Sequence, residues 1–317
     1  MKEIRKLNIA LICGGKSSER AVSLSGAEGI KKALDPHKYT LSIYDPSKDL
    51  ARLVNESSKI DMAFILLHGR YGEDGTIQGM LDLLEIPYQG SGVLGSALAM
   101  DKEMAKILYL QAGVPTPKWI TVKKGEHIDC MEIASRIGLP VMVKPMTQGS
   151  SVGMTKVIDV KSLRDAIEQA WEYDDSVLVE EFITGRELTG GVIGLKKLTA
   201  LPIVEIVPKK QYTFFNFEAK YKAGATDEIC PANISGESTR KAQSIAIKCH
   251  RCLRLTGYSR TDMMLTKDGN IYAIETNTIP GMTPTSLFPM AAKAAGIPFS
   301  ELLERLIDMA LEERSTK

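Results

Sequence analysis

A disulfide framework, a membrane span and a field of one charge sign are all missing from this sequence of 317 residues. The five cysteines are an odd count without framework spacing, which excludes a disulfide scaffold and fits a reducing compartment. Cys249 and Cys252 form one CxxC, but it has no second pair and sits in a helical run, so buried or half-buried thiols are expected rather than a metal or redox centre. The longest early apolar stretch, residues 9–13, stops at Gly14-Gly15, too short for a signal-peptide core or a membrane span. A cytoplasmic protein is expected. Lysine plus arginine number 40 against 39 aspartates and glutamates, a formal charge of +1. No global field therefore recruits nucleic acid or an anionic membrane. No internal repeat or low-complexity segment is present, which argues against a solenoid or a disordered tail.

What is present is an average globular composition, 44% apolar and 25% charged, in a chain long enough for two domains at about 150 residues each, or three small ones. Residues 7–13 read as a strand ending in two glycines, followed by a helix over 17–34, strands over 39–44 and 62–67, and a helix over 76–85. Such alternation predicts a parallel sheet with helices on its faces. A helix-rich stretch over 91–113 ends where Gly113, Pro115 and Pro117 forbid continuation, and a domain boundary is expected near 100–115. Beyond it the pattern is α+β and more antiparallel in character. Strands are expected over 140–144, 177–181, 188–193, 202–207, 258–265 and 270–276, and helices over 161–172, 236–256 and 298–315.

Two familiar motifs fail on spacing. Gly90-Ser91-Gly92-Val93-Leu94-Gly95 satisfies GxGxxG, but the neighbourhood about 20 residues on, Gln111 to Val114, holds no acid for ribose hydroxyls. Gly15-Lys16-Ser17 resembles the end of a Walker A loop, yet the first glycine of that pattern would fall on Ala10. A glycine turn feeding a helix N-terminus remains, and Glu19 there either complements the helix dipole or serves a ligand.

Other segments carry more chemistry. The strand ending at Lys144 runs into Gln148-Gly149-Ser150-Ser151-Val152-Gly153, where small residues let N–H groups and hydroxyls converge on an anion beside a lysine; an ordinary surface turn is the alternative. Val177 to Ile183 is a strand ending in Glu180-Glu181, able to meet an adenine edge, or simply amphipathic with solvated acids. In the segment ending Glu275-Thr276-Asn277, the i, i+2 spacing puts Glu275 and Asn277 on one face. A hairpin turn at Lys267-Asp268-Gly269-Asn270 returns this segment beside Asp262. Two carboxylates and an amide oxygen form the hard donor set that Mg²⁺ accepts, with phosphate oxygens and water completing its shell. Arg260 lies where transferred charge would develop.

In this order the segments resemble the ATP-grasp carboxylate-amine ligases and, within them, the D-alanine:D-alanine ligases. The likeness spans nearly the whole chain and includes His68-Gly69-Arg70-Tyr71-Gly72-Glu73-Asp74-Gly75, Met100-Asp101-Lys102, the 149–153 loop, Glu218-Ala219-Lys220-Tyr221, Ser259-Arg260-Thr261-Asp262, the run 275–283, and Ser286-Leu287. It implies an α/β protein, α+β in its second half. A Rossmann-like parallel-sheet domain at 1–100 would precede a two-lobed ATP-grasp fold, with lobes at 101–188 and 189–317 and a lid over 210–225.

Carried over by motif, the resemblance assigns nucleotide phosphates to Lys102 and Lys144, with Ser151 and Lys220 also on the nucleotide. It assigns the adenine edge to Glu180 with the backbone of Glu181, Phe182 and Ile183, and the ribose to Glu187. Asp262, Glu275 and Asn277 would hold two Mg²⁺ ions, for which Mn²⁺ can stand in. Glu19 would receive the first D-alanine ammonium in a triad with Ser150 and Tyr221. Arg260 and the Gly281 N–H would form the oxyanion site, Ser286 and Leu287 the pocket for the second D-alanine, and His68 would lie near it. ATP and two D-alanines are the implied substrates, joined through an acyl phosphate for peptidoglycan precursor synthesis. A homodimer and a monovalent cation such as K⁺ are also implied. Two rivals are a ligase joining D-alanine to D-lactate, whose relatives usually lack the Lys220-Tyr221 pair, and a non-catalytic ATP-binding protein, which retention of Asp262, Glu275, Asn277 and Arg260 opposes.

Overall fold

The computed structural model describes residues 5–17, 19–149, 152–209 and 226–315. Strand β1 (Leu7–Ile12), helix α1 (Arg20–Ala33), β2 (Tyr39–Tyr44), α2 (Leu50–Asn55) and β3 (Met62–Ile65) form a parallel sheet in the order β2-β1-β3. Residues 9–12 of β1 and all of β3 are apolar and buried because both faces are covered there, whereas the edge strand β2 alternates with Thr40 and Ser42. Ile9, Leu11, Met62 and Phe64 face one core, whereas Ala10, Ile12, Ala63 and Ile65 face another with Ile77 and Leu81 of α3 (Thr76–Leu83).

The expected helical stretch over 91–113 is two helices, α4 (Val93–Met100) and α5 (Lys102–Gln111). Between them Asp101 takes extended backbone and caps α5, its carboxylate accepting from the Met104 N–H at 3.0 Å. The break redirects α5, and Lys102, Lys106 and Tyr109, at i, i+4 and i+7 on one face, are all buried.

A four-stranded antiparallel sheet follows, in the order β4-β7-β5-β6. It contains β4 (Trp119–Lys123), β5 (Val141–Pro145), β6 (Thr155–Val157) and β7 (Ser176–Glu181), with α6 (Cys130–Ile137) and α7 (Leu163–Ala170) on one face. Sequence patterning missed β4, β6 and α6. Trp119 and Ile120 follow two prolines, and β4 becomes a strand by pairing along β7, Trp119 opposite Glu180.

The third sheet has the order β11-β10-β8-β12-β13, with β9 beside β8. Its strands are β8 (Arg186–Gly194), β9 (Thr199–Ala200), β10 (Val204–Pro208), β11 (Thr226–Ile229), β12 (Gly257–Leu265) and β13 (Ile271–Asn277). Helix α8 (Gly236–Cys252) packs on it through Ala242, Ile245 and Cys249. This helix stops short of the expected residue 256, because Arg254 and Gly257 have φ of +56° and +70°. Cys249 is buried and Cys252 half-buried on this helix, the burial expected of these two thiols.

Helices α9 (Leu287–Ala294) and α10 (Phe299–Ser315) close the chain. Leu302, Leu303 and Leu306 of α10 join Ile9, Leu11, Phe64, Tyr258 and Phe288 in one core, so the first sheet is packed against the third. Among the described residues no helix is long and apolar enough to cross a membrane. Phe288 is 1% exposed and meets Tyr258 edge to face at 5.4 Å between ring centres. Phe288→Ala is expected to lower stability by about 3–5 kcal/mol in denaturant unfolding, and a loss below about 1 kcal/mol would contradict this packing.

Candidate active site

Period-two alternation decides what the second sheet offers the cleft. Val141, Val143, Val177 and Val179 point into the core under α6 and α7, so Met142, Lys144, Leu178 and Glu180 point the other way. Lys144 and Glu180 lie diagonally across β5 and β7, Lys144 being opposite Leu178 and Met142 opposite Glu180. The Lys144 ammonium donates to Glu180 Oε1 at 2.6 Å, and Lys106 Nζ from α5 lies 2.5 Å from Oε2. All three side chains are buried. Burial acts on Glu180 most strongly and would raise its pKa, but the two ammonium groups together hold it below the usual carboxylate value. Burial likewise opposes the Lys144 charge, and Glu180, Glu275 and Glu187 reverse it, so that ammonium is held above its usual value. For Lys106 burial prevails and the pKa is lowered. Glu180 Oε2 is engaged by the Lys106 ammonium, and a carboxylate oxygen with one such partner keeps a second lone pair for another donor.

Lys144, Glu180, Glu181, Phe182, Ile183 and Glu187 line one cleft of about 520 Å³ together with Asp262 and Glu275, and Met142, Met264 and Ile274 supply apolar surface. The Glu181 and Phe182 N–H groups donate to the Lys118 and Pro140 carbonyls, leaving the Ile183 N–H as the one of the three without a backbone acceptor among the described residues. Lys156 lies over the Phe182 ring at 3.7 Å on the same wall.

Beside this wall, β12 and β13 pair antiparallel with Arg260 opposite Asn277 and Asp262 opposite Glu275, and the register slips just after Asp262. The slip is a bulge at the point where four polar side chains share one face. Arg260 grips Asp262 in a two-pronged contact, Nε to Oδ1 and Nη2 to Oδ2 both at 3.0 Å, and Asn277 Nδ2 donates to Asp262 Oδ2 at 3.2 Å. Burial opposes the Arg260 charge most, yet Asp262, Glu275 and Glu73 more than offset it, so the guanidinium stays charged. Among the described residues no three His, Cys, Asp or Glu side chains form a closed metal cage. Two carboxylates and an amide still fit Mg²⁺, which keeps waters and phosphate oxygens and needs few protein ligands. Lys102, from the start of α5, donates to the Gln148 carbonyl at 2.6 Å and shares a crevice with Gly149, Glu275 and Asn277.

The third wall comes from the first sheet. The Gly14-Gly15 turn is no anion cradle, because its N–H groups donate to Ser23 Oγ at 2.8 Å and Asp45 Oδ1 at 3.0 Å. Glu19 stands at the N-cap of α1 without capping it. A Cβ on Gly69 or Gly149 would come within 3.4 or 3.3 Å of Glu19 Oε2, so glycine at both positions makes room for that carboxylate. His68 is buried, and burial, aided by Arg260 and opposed by Glu19, lowers its pKa and keeps the imidazole neutral. Gly281 faces Ser286, whose Oγ would lie 3.0 Å from an added Cβ. Ser286 and Leu287 open α9, with Ser286 Oγ accepting from the Thr283 N–H at 3.2 Å.

The family model for the D-ala D-ala ligase C-terminus matches residues 108–308, and the N-terminal model matches 45–91. The chain belongs to the D-Ala-D-Ala ligase family. A D-alanine-D-alanine ligase of Syntrophobacter fumaroxidans is 52% identical over 308 residues, covering 97% of this chain and 99% of that protein. The crystal structure of the Bacillus anthracis D-alanine-D-alanine ligase complexed with ATP aligns at TM-score 0.86 and 35% identity, covering 98% of this chain and 99% of that one. The VanG D-Ala:D-Ser ligase of Enterococcus faecalis aligns at TM-score 0.84 and 34% identity over 96% of this chain and all of that one. Family membership carries with it the mixed ATP-grasp architecture expected from the sequence.

Of the residues that the ligase resemblance singled out, Ser150, Ser151, Lys220 and Tyr221, with the 210–225 segment, lie outside the described residues. Two residues at this D-Ala-D-Ala ligase site received no role from the sequence. Lys106 carried a signal only in its i+4 spacing from Lys102. Glu73 lay within a quoted motif, and its carboxylate accepts from the Gly69 N–H at 2.8 Å and the Ile279 N–H at 3.2 Å, joining the loop after β3 to the turn before Gly281. Loss of solvent and the nearby Glu19 charge push the Glu73 carboxyl up to about 8. The folded chain thus binds this proton more tightly than the unfolded one, a contribution complete below pH 4.5 and lost as pH rises towards 8. Carbon-13 NMR is expected to show Glu73 titrating near 8. A midpoint below about 6 would contradict the environment described.

Proposed function

We infer that the protein is an ATP-dependent ligase that joins two D-alanines into D-alanyl-D-alanine for peptidoglycan precursor synthesis, releasing ADP and phosphate. One observation carries the reading in a chain of this family: Lys144, the 180–183 segment, Glu187, Asp262 and Glu275 line a single cleft. An apolar slot with a buried carboxylate that retains acceptor capacity suits adenine, whose amine would meet Glu180 and whose ring nitrogen would meet the Ile183 N–H. Glu187 takes the ribose, and Lys144 and Lys102 take the phosphates, with Ser151 and Lys220 in support. Asp262, Glu275 and Asn277 hold Mg²⁺, in two ions or with Mn²⁺ in its place; the metal supplies charge neutralisation on the phosphates.

A free carboxylate is a poor acyl donor, so the first D-alanine carboxylate attacks the γ-phosphorus of ATP. The bond to the β,γ-bridging oxygen breaks and ADP leaves, giving an acyl phosphate. Lys144 and Arg260 offset the charge gathered there. Glu19, with Ser150 and Tyr221, holds the first ammonium; Ser286 and the Leu287 N–H at the start of α9 hold the second carboxylate. The second amine, having lost a proton, adds to the acyl carbon. Arg260 and the Gly281 N–H stabilise the oxyanion, and phosphate departs as the amide forms. Neutral His68 lies near this step. Water has to be kept from the acyl phosphate, which it otherwise hydrolyses, the role that the family resemblance gives to the 210–225 segment.

Domain limits at 100 and 188, a homodimer, room for a monovalent cation such as K⁺ and a cytoplasmic location belong to the same reading. The acceptor is where relatives diverge, since a ligase named for D-serine shares the fold. Full-length protein with ATP and Mg²⁺ is expected to release phosphate on adding D-alanine, not L-alanine, and little with D-lactate or D-serine as second acceptor beside limiting D-alanine. Faster turnover with either alternative acceptor, or none with D-alanine, would overturn the assignment. Glu275→Gln is expected to abolish turnover. Retention of more than about a tenth of kcat, a loss below roughly 1.4 kcal/mol, would contradict its role at the metal.

A further inference from the structure

We propose that Lys106 is a positioning residue for nucleotide binding, holding the Glu180 carboxylate in place beside Lys144 and tying it through Thr116 to the strand that carries Glu275 and Asn277. The proposal rests on the reading of Glu180 and Lys144 as nucleotide ligands and goes beyond it, since Lys106 does not line the cleft.

The geometry is that of a pin. Lys106 is 1% exposed, and its ammonium meets three oxygens: Glu180 Oε2 at 2.5 Å, Thr116 Oγ1 at 2.8 Å and the Pro117 carbonyl at 3.2 Å. Thr116 in turn donates to the Ala273 carbonyl at 2.8 Å, and the Ala273 N–H donates to the Pro115 carbonyl at 2.8 Å. Ala273 lies on β13 two residues before Glu275. One ammonium therefore joins β7 of the second sheet, the 115–117 connection and β13 of the third. These are the elements whose spacing sets the distance from the adenine end to the metal end of the cleft. Its helix neighbours extend the same link, with Lys102 bonded to the Gln148 carbonyl and the Tyr109 hydroxyl 2.7 Å from Thr276 Oγ1.

Charge counting separates this role from simple packing. Glu180 and Lys144 alone would be a neutral buried pair, and a second buried ammonium adds desolvation cost without being needed for neutrality. What it adds is direction. With one ammonium on each oxygen, the carboxylate cannot turn to give both oxygens to Lys144, so Lys144 keeps its place at the cleft surface.

The test uses full-length protein. Binding of ATP with Mg²⁺ and no D-alanine is measured by calorimetry, and both substrate KM values are measured at steady state. Lys106→Met keeps the stem and leaves a neutral pair. It is expected to weaken ATP binding about tenfold or more, as removal of an orienting partner does, while KM for D-alanine moves less than about twofold. In a Glu180→Gln background the same change is expected to add little, because Lys106 acts through that carboxylate. Thr116→Val, which cuts the link to Ala273 at nearly constant shape, is expected to weaken ATP binding in the same direction and carries the test if Lys106→Met does not fold. Wild type that fails to bind ATP would overturn the nucleotide reading itself. Wild-type binding matched by both variants, or equal losses for ATP and D-alanine, would overturn the role of Lys106 alone.

Discussion

Charge taken out of water has to be matched where it is buried, and the cleft of this protein is organised by that requirement. Glu180 sits between two ammonium groups, and Asp262 is gripped by Arg260 with Asn277 behind it. Neither cluster is a strong source of stability, because desolvation consumes most of the Coulombic gain. Their value is directional: the cationic heads are already oriented, so a polyanion bound there as proposed would require little reorganisation. A near-neutral chain thus presents a strongly polarised interior.

The sheets hold these clusters at fixed distances. Alternation along β5 and β7 divides valines from Lys144 and Glu180, and pairing of β12 with β13 brings Arg260, Asp262, Glu275 and Asn277 together. Helix α5 then runs behind both, its buried polar stripe touching the Gln148 carbonyl, Glu180 and Thr276 in turn. On the far side the core shared by Phe64, Phe288 and Leu306 packs the first sheet against the third, and the Glu73 carboxylate joins the loop after β3 to the turn before Gly281. His68 lies close enough to Glu19 and Arg260 for both charges to act on it.

Much of this was legible in the residues, for physical reasons that differ from place to place. The i, i+2 spacing of Glu275 and Asn277 and the hairpin turn at 267–270 predict a shared face whatever lies around them. The apolar runs 9–12 of β1 and 62–65 of β3 announce a sheet covered on both sides at its centre. Trp119 to Lys123 was not legible, because its strand character comes from lying along β7. The break at Asp101 has a local signal, an Asp three residues before a helical N–H, but the apolar spacing around it runs on as one helix-rich stretch. Lys106 reads in sequence as one more solvated helical lysine; only the packing of α5 buries it.

The order and spacing of the chemical groups, the family they belong to and the face each strand residue takes were settled along the chain, since they depend on local periodicity and on which atoms the residues carry. The state of those groups was settled in three dimensions. Whether the Lys106 ammonium is buried, whether the Glu73 carboxyl is shifted upward, and whether Glu180 answers to one cation or two depend on desolvation and on partners tens of residues distant. Such effects depend on distance in space and on burial, and have no counterpart in sequence separation.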